Sequence, residues 1–230
     1  MNLQLVVFDM AGTTVDEDNI VYKTLQEAIV SHKFSVSLEQ VLQYGAGKEK
    51  LQAIIDVLSN TGAKASSETT DLIFAYFNKK LAENYLNLDV KAFPDVERVF
   101  MELKSNNIKV ALNTGYNRIT AEFLIQKLGW KLGHQFDVLV TASDVKRNRP
   151  HPDMILLAMS QLNIHSPEMV IKVGDSTVDI QEGQNAGCAL TIGVTSGAHS
   201  RNQLREADPD YVIDNLYEMI GIIEHMKNQK

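Results

Sequence analysis

A single cysteine, Cys188, stands among the 230 residues, so no intramolecular disulfide can form. It lies in an apolar stretch beside Ala189 and Leu190, where a packed, unreactive thiol is expected, and a reducing compartment fits it. No apolar run approaches the length of a membrane span, and the opening run 3–8 is too short for a secretory leader because it stops at Asp9. The expected location is the cytoplasm, with no membrane partner. Positive charge is in deficit, with 22 Lys and Arg against 29 Asp and Glu, for a net charge of -7 at pH 7. That balance argues against a broad nucleic-acid surface, while a local basic pocket for a small phosphorylated ligand remains compatible with it. Internal repeats and low-complexity tracts are also missing. What remains is an ordinary globular composition, 44% hydrophobic and 22% charged, long enough for one domain with a smaller insert.

The run 3–8 is short, β-prone and largely apolar, as a buried parallel strand should be. Further strands are expected at 108–112, 136–140, 169–173, 189–194 and 211–213, with helical spacing at 94–106, 119–128, 152–162 and 178–186 between them. This alternation predicts an α/β fold, a doubly wound parallel sheet. Residues 16–89 break the pattern, with little strand signal and helices expected at 21–32, 48–60 and 68–85. They read as a small helical domain inserted after the first strand, leaving 1–15 and 90–230 as the core. The tail 215–230 reads as a final helix fraying at its basic end.

In an open parallel sheet ligands bind beyond the carboxyl ends of the strands, and four polar motifs fall there. Asp9 follows the first strand directly, with Gly12 allowing a tight turn behind it; a carboxylate so placed can attack phosphorus. Thr114 and Gly115 follow a strand and precede a helix, where a hydroxyl and an amide can hold a phosphoryl oxygen, and Tyr116 either lines the pocket or packs. In the basic loop 146–153, Pro150 and Pro152 fix an extended entry to a helix, and Arg149 facing the mouth would neutralise phosphate charge. His151 in the same loop is given no role. Asp175 and Asp179 bracket a turn after a buried strand, a hard-oxygen pair suited to magnesium, with Gly174 permitting close backbone approach. Each motif alone also reads as an ordinary turn, cap or solvated loop; their joint placement points to one site.

In this order the four blocks resemble the haloacid dehalogenase superfamily over nearly the whole chain, through Asp-x-x-Gly-Thr at Asp9 and Gly-Asp-Ser-x-x-Asp at Gly174. The resemblance implies a Rossmann-like core with a helical cap, Asp9 as a nucleophile that is phosphorylated and then hydrolysed, and Mg2+ held by Asp9, the Ala11 carbonyl, Asp175 and Asp179. Phosphatases of the superfamily usually carry a second aspartate where this chain has Ala11. The stretch from Ala11 to Asp16, with Thr114-Gly115-Tyr116 and Arg149-Pro150, is similar to the phosphonoacetaldehyde hydrolase branch, in which a cap lysine forms a Schiff base. Gly45-Ala46-Gly47-Lys48 matches that branch's Gly-x-x-Lys, so Lys48 is the candidate amine and Gly47 a candidate substrate contact. Leu51, Tyr44 and Asn19 depart from the branch's residues. The expected substrate is a small phosphonate or phosphate; alternatives are an ester phosphatase without Schiff-base chemistry and a ligand-binding relative without turnover. A homodimer through the cap helices is left open. His199, in the glycine-punctuated loop 193–199, is expected at the surface.

Overall fold

The structure, a computed structural model, describes residues 3–228, with side chains through 226. Six strands form one parallel sheet: β1 (Leu5–Asp9), β4 (Lys109–Thr114), β5 (Val138–Thr141), β6 (Val170–Gly174), β7 (Leu190–Val194) and β8 (Tyr211–Ile213), in the order β5-β4-β1-β6-β7-β8. The chain starts in the middle, winds to one edge and then returns past β1 to the other, which is the doubly wound arrangement expected. All five residues of β1 are buried, because helices cover both faces. Alternation sends Val6 and Phe8 to one core and Leu5 and Val7 to the other. On the first face Phe8 meets Phe100 of α5 (Val96–Ser105) edge to face, with centroids 5.3 Å apart. On the second, Met154, Ile155 and Ala158 of α7 (Asp153–Gln161) fill the space, and Cys188 packs at its margin. The predicted helices at α6 (Arg118–Leu128) and α8 (Thr177–Ala186) also form.

Four helices follow β1: α1 (Ile20–Ser31), α2 (Leu38–Gly45), α3 (Lys50–Asn60) and α4 (Ser67–Asn87). They pack around Leu25, Ile29, Ile54, Val57, Ile73 and Phe77, all at most 1% exposed. Sequence periodicity missed α2, whose eight residues are too few for a clear stripe. Its start is nonetheless written in a capping box, with Ser37 and Gln40 each bonded to the other's backbone N–H. Also unforeseen is the ribbon that joins the insert to the sheet, β2 (Val15–Asp16) paired antiparallel with β3 (Lys91–Ala92), because two-residue strands carry no periodic signal. A six-residue helix, α9 (Arg201–Glu206), was likewise too short to predict. The tail helix is α10 (Glu218–Asn228); the expected fraying reaches residues outside those described. Among the described residues no helix is long and apolar enough to cross a membrane.

Candidate active site

Parallel register sets Asp9 beside Asn113 at the carboxyl end of the sheet, with the β6 turn on the other side of β1. The chain after Asp9 doubles back on itself: Thr13, Thr14 and Val15 all donate N–H to the Met10 carbonyl. Gly12 lies in the left-handed region at φ 83, where an added Cβ would strike Asp175. Gly197 comes as close to the same Asp175 oxygen, so two glycines make room for one carboxylate. Thr13 donates its hydroxyl to Asp175 Oδ1 at 3.3 Å and the Ala198 amide donates to Oδ2 at 2.6 Å. Gly174 leaves the space that Asp179 fills. Asp9, Asp175 and Asp179 are each buried and can offer one oxygen apiece within 4.8 Å of one another.

Two cations lie beneath this triad. Arg149 reaches Asp9 at 2.6 Å, Asp179 at 3.0 Å and Glu182 at 2.9 Å. Lys172 reaches Asp179 at 3.0 Å and Glu182 at 3.2 Å. Asn113 ties the set together, accepting from both cations at 2.6 Å through Oδ1 and donating to Glu182 at 2.9 and 3.0 Å. Three carboxyl groups thus share two positive charges, with the Asp175 carboxyl beside them unpaired with any cation among the described residues. Burial pushes Asp9 up to about 6 against the pull of Arg149. Burial and the charges of Asp9 and Asp179 push Asp175 well above the usual carboxylate range. Burial acts on Asp179 too, but Arg149 and Lys172 outweigh it and hold this carboxyl low. Asp179 Oδ1 is buried and accepts no well-aligned hydrogen bond, although both cations lie 3.0 Å away. A surplus of negative charge, an under-used carboxylate oxygen and three convergent hard donors fit a divalent cation.

Above the triad the insert supplies a second wall. The 47–48 loop packs so closely on the sheet that a Cβ at Gly115 would collide with the Lys48 carbonyl, and one at Gly47 with Ser176. Tyr22 fixes this loop by accepting from the Gly47 amide at 3.1 Å, and Arg149 donates to the Gly47 carbonyl at 3.2 Å. Lys50 is buried here, its Nζ 5.1 Å from the Tyr116 ring centroid and 5.6 Å from that of Tyr22. Burial lowers the pKa of this amine, with the charge of Asp9 opposing the shift. Lys50, Gly115 and Tyr116 line a cavity of about 300 Å³ between insert and sheet.

The structure therefore brings Asp9, Ala11, Gly47, Thr114, Gly115, Tyr116, Arg149, Asp175 and Asp179 to one place. Thr114 is buried and accepts from the Tyr116 amide at 3.2 Å. Lys48 is in the loop as expected, its amine pairs with Asp56, and it lines a cleft of about 410 Å³ that Arg149 also lines. His151 is exposed. His199 is not at the surface: it is 4% exposed, accepts from the Thr177 amide through Nδ1 at 3.1 Å and bonds the Leu42 carbonyl through Nε2 at 3.1 Å. Its loop is drawn inward by the same close approach that sets Gly197 on Asp175. Sequence reasoning assigned nothing to Asn113, Lys172, Glu182 or Lys50. Lys172 and Glu182 carried a usable signal, a charged residue at a position otherwise buried on a core strand and on the helix after it.

Comparison with known proteins agrees with this geometry. The family described as haloacid dehalogenase-like hydrolase matches residues 3–187. Hydrolases of this family generally use a divalent metal, which the buried aspartate triad could bind. A phosphonoacetaldehyde hydrolase of Latilactobacillus sakei is 31% identical over 255 residues, covering 96% of this chain and 95% of its own. The pyrophosphatase PpaX of Oceanobacillus iheyensis is 26% identical over 223 residues, covering 97% and 98%. Among solved structures, a phosphonoacetaldehyde hydrolase-like protein from Oleispira antarctica superposes with a TM-score of 0.86 at 23% identity, covering 100% of this chain and 94% of that one. A buried aspartate at the end of the central strand, a cationic floor beneath it and a family match over most of the chain lead to one conclusion: this chain belongs to the haloacid dehalogenase-like hydrolases.

Proposed function

We propose that the chain hydrolyses a small phosphonate or phosphate through an aspartyl-phosphate on Asp9, with residues 16–89 acting as a cap over the core 1–15 and 90–230. The observation that carries the reading is the Asp9 carboxylate, set at the mouth of the sheet 2.6 Å from Arg149 and grouped with Asp175 and Asp179. Asp9, Asp175, Asp179 and the Ala11 carbonyl would hold Mg2+, which when bound offsets the charge of the transferring phosphoryl group. Asp9 attacks phosphorus; Arg149, the Thr114 hydroxyl and the Gly115 amide steady the phosphoryl oxygens. The cap loop at Gly47 closes the site and limits water.

The likeness to phosphonoacetaldehyde hydrolase adds a carbonyl-reactive amine to this scheme. Of the two lysines in the cap loop, Lys50 suits that task better than Lys48, because burial lowers its pKa while Lys48 is committed to Asp56. A second reading, hydrolysis of a phosphate ester or pyrophosphate without Schiff-base chemistry, is favoured by the pyrophosphatase relatives.

Incubating the protein with phosphonoacetaldehyde, Mg2+ and borohydride separates the two. Phosphate release together with a reduced adduct on Lys50 supports carbon–phosphorus cleavage. Release of phosphate from esters or pyrophosphate with no adduct on Lys48 or Lys50 supports the second reading. In either case Asp9→Asn must be inactive, and turnover by that variant sinks the aspartyl-phosphate scheme.

A further inference from the structure

Ala11 carries no proton to donate at the position where phosphatases of this superfamily usually have an aspartate, so a proton for a poor leaving oxygen must come from elsewhere. A buried polar chain crosses from the cap to the cavity. Glu17, directly after β2 and 3% exposed, accepts from the Val21 amide at 3.0 Å through Oε2. Tyr85 of α4 places its hydroxyl 3.5 Å from the same oxygen, at the long end of hydrogen bonding, and 2.7 Å from the Tyr116 hydroxyl. Tyr116 lines the cavity that Lys50 also faces. All three side chains are sealed from solvent, and the chain runs from the Glu17 carboxyl to Tyr116, which lines the cavity.

We propose that Glu17 is a positioning residue for the leaving group, acting through Tyr85 to set whether the Tyr116 hydroxyl donates into the cavity. This rests on the aspartyl-phosphate reading above in its ester or pyrophosphate form, where the departing atom is oxygen.

The direction of donation follows from counting hydrogens. A tyrosine hydroxyl has a single one. When Glu17 is ionised it can only accept, so Tyr85 donates to it, Tyr116 donates to Tyr85, and no hydrogen is left for the cavity. When Glu17 is protonated the order reverses, and the Tyr116 hydrogen is free to meet the leaving oxygen. As the Asp9 carboxylate forms its bond to phosphorus and the bond to the leaving oxygen breaks, that oxygen takes the Tyr116 proton. Tyr116 takes one from Tyr85, and Tyr85 one from Glu17. The water that later hydrolyses the aspartyl-phosphate releases a proton, which restores Glu17.

The groups that face Glu17 are Asp16 from β2, Lys50 from the start of α3, Tyr85 from α4, Tyr22 and the backbone of Ile20 and Val21 from α1, and Tyr116 ahead of α6. Burial dominates these neighbours and pushes Glu17 up to about 8, so the carboxyl keeps its proton at neutral pH. Burial also raises Tyr85 and Tyr116, which keeps the relay hydroxyls protonated. The bond from Val21 shows that Glu17 also caps α1, and a glutamine keeps that bond through its amide oxygen.

The test compares phenyl phosphate with 2,4-dinitrophenyl phosphate, whose leaving oxygen needs no proton, across pH with Mg2+. Wild-type turnover of phenyl phosphate should fall as pH rises through about 8. Glu17→Gln, which fixes the acceptor state, should lose that limb and turn phenyl phosphate over ~10²-fold more slowly at every pH. The dinitrophenyl ester should be cleaved as by wild type. Tyr85→Phe, which uncouples Tyr116 from Glu17 and leaves its hydroxyl no acceptor at position 85, should also lose the alkaline limb but without the uniform loss on phenyl phosphate. A retained alkaline limb in Glu17→Gln, or equal losses on both esters, overturns the relay. Turnover of either ester by Asp9→Asn instead overturns the nucleophile, so the two failures are distinct.

Discussion

Below the seam between sheet and insert, Arg149 and Lys172 meet Asp9, Asp179 and Glu182 at 2.6 to 3.2 Å, with Asn113 filling the remaining hydrogen-bonding positions. Above it, Glu17 and Lys50 are as deeply buried, yet Glu17 accepts from the Val21 amide and the Tyr85 hydroxyl and Lys50 donates to a backbone carbonyl, none of them an opposite charge. The first arrangement pairs its charges, which holds Asp179 low although burial still lifts Asp9 to about 6. The second gives up charge stability, and its groups move toward neutral pH, Glu17 upward and Lys50 downward. A phosphoryl site needs fixed charge, and a site that handles protons or a carbonyl needs groups able to change theirs. The two sides of the seam are suited to those two tasks.

Arg149→Met should break the contrast most severely. It strands Asp9 and Glu182 without their closest cation and leaves Asp179 with Lys172 alone. Removing one partner of a buried ionic network typically costs about 3–5 kcal/mol. The urea midpoint should fall accordingly, and a variant that unfolds like wild type would show that the floor is not a mutually dependent network.

Next in size is the pH dependence of stability that Glu17 imposes. Folded, it holds its proton up to about 8; its ordinary value is 4.5. Between those values the folded state binds more protons than the unfolded state, so stability falls as pH rises. The contribution is full below 4.5, is lost through the window and changes no further above about 8. Inside that window each step of one pH unit removes at most about 1.4 kcal/mol. Urea unfolding of wild type and Glu17→Gln across this range should give curves that diverge, the wild type losing ground with rising pH. Parallel curves would mean that Glu17 is ionised in the fold and that the two walls do not differ as described.

How much of this was legible beforehand follows the same division. The doubly wound sheet, Asp9, Arg149 and the Asp175–Asp179 pair announce themselves through chain-local signals, an apolar run ending in Asp9, a glycine beside Asp175 and an arginine before Pro150, while Asn113, Lys172 and Glu182 of the floor do not. The upper wall does not. Glu17 stands in the run Asp16-Glu17-Asp18, which reads as solvated charge, and only the β2–β3 ribbon turns it inward. Tyr22 and Tyr85 read as core aromatics on amphipathic helices, which they also are. Spacing singled out Lys48, but spacing fixes only the loop, not which of two lysines at its end points inward. That choice is made where α3 begins: Glu49 caps the helix, Lys50 opens it, and the first turn directs Lys50 against Tyr22 and Tyr116.

The outward lysine supplies the smallest and most discriminating expectation. Lys48 and Asp56 are each about a quarter exposed, at 22% and 24%, and Gln52 also donates to Asp56 at 2.8 Å. A pair so exposed couples by about 0.2–1 kcal/mol, since solvent screens the charges and two flexible side chains must be held. A double-mutant cycle with Lys48→Met and Asp56→Asn should return a coupling of that size. If the pair is only a clasp on the cap loop, Asp56→Asn should leave borohydride labelling on Lys50. If Lys48 is the reacting amine and Asp56 holds it in reserve, freeing it should move the label to Lys48. A coupling energy well above the surface range, or a label that moves, would put Lys48 back among the residues that do chemistry and dissolve the distinction between the two lysines.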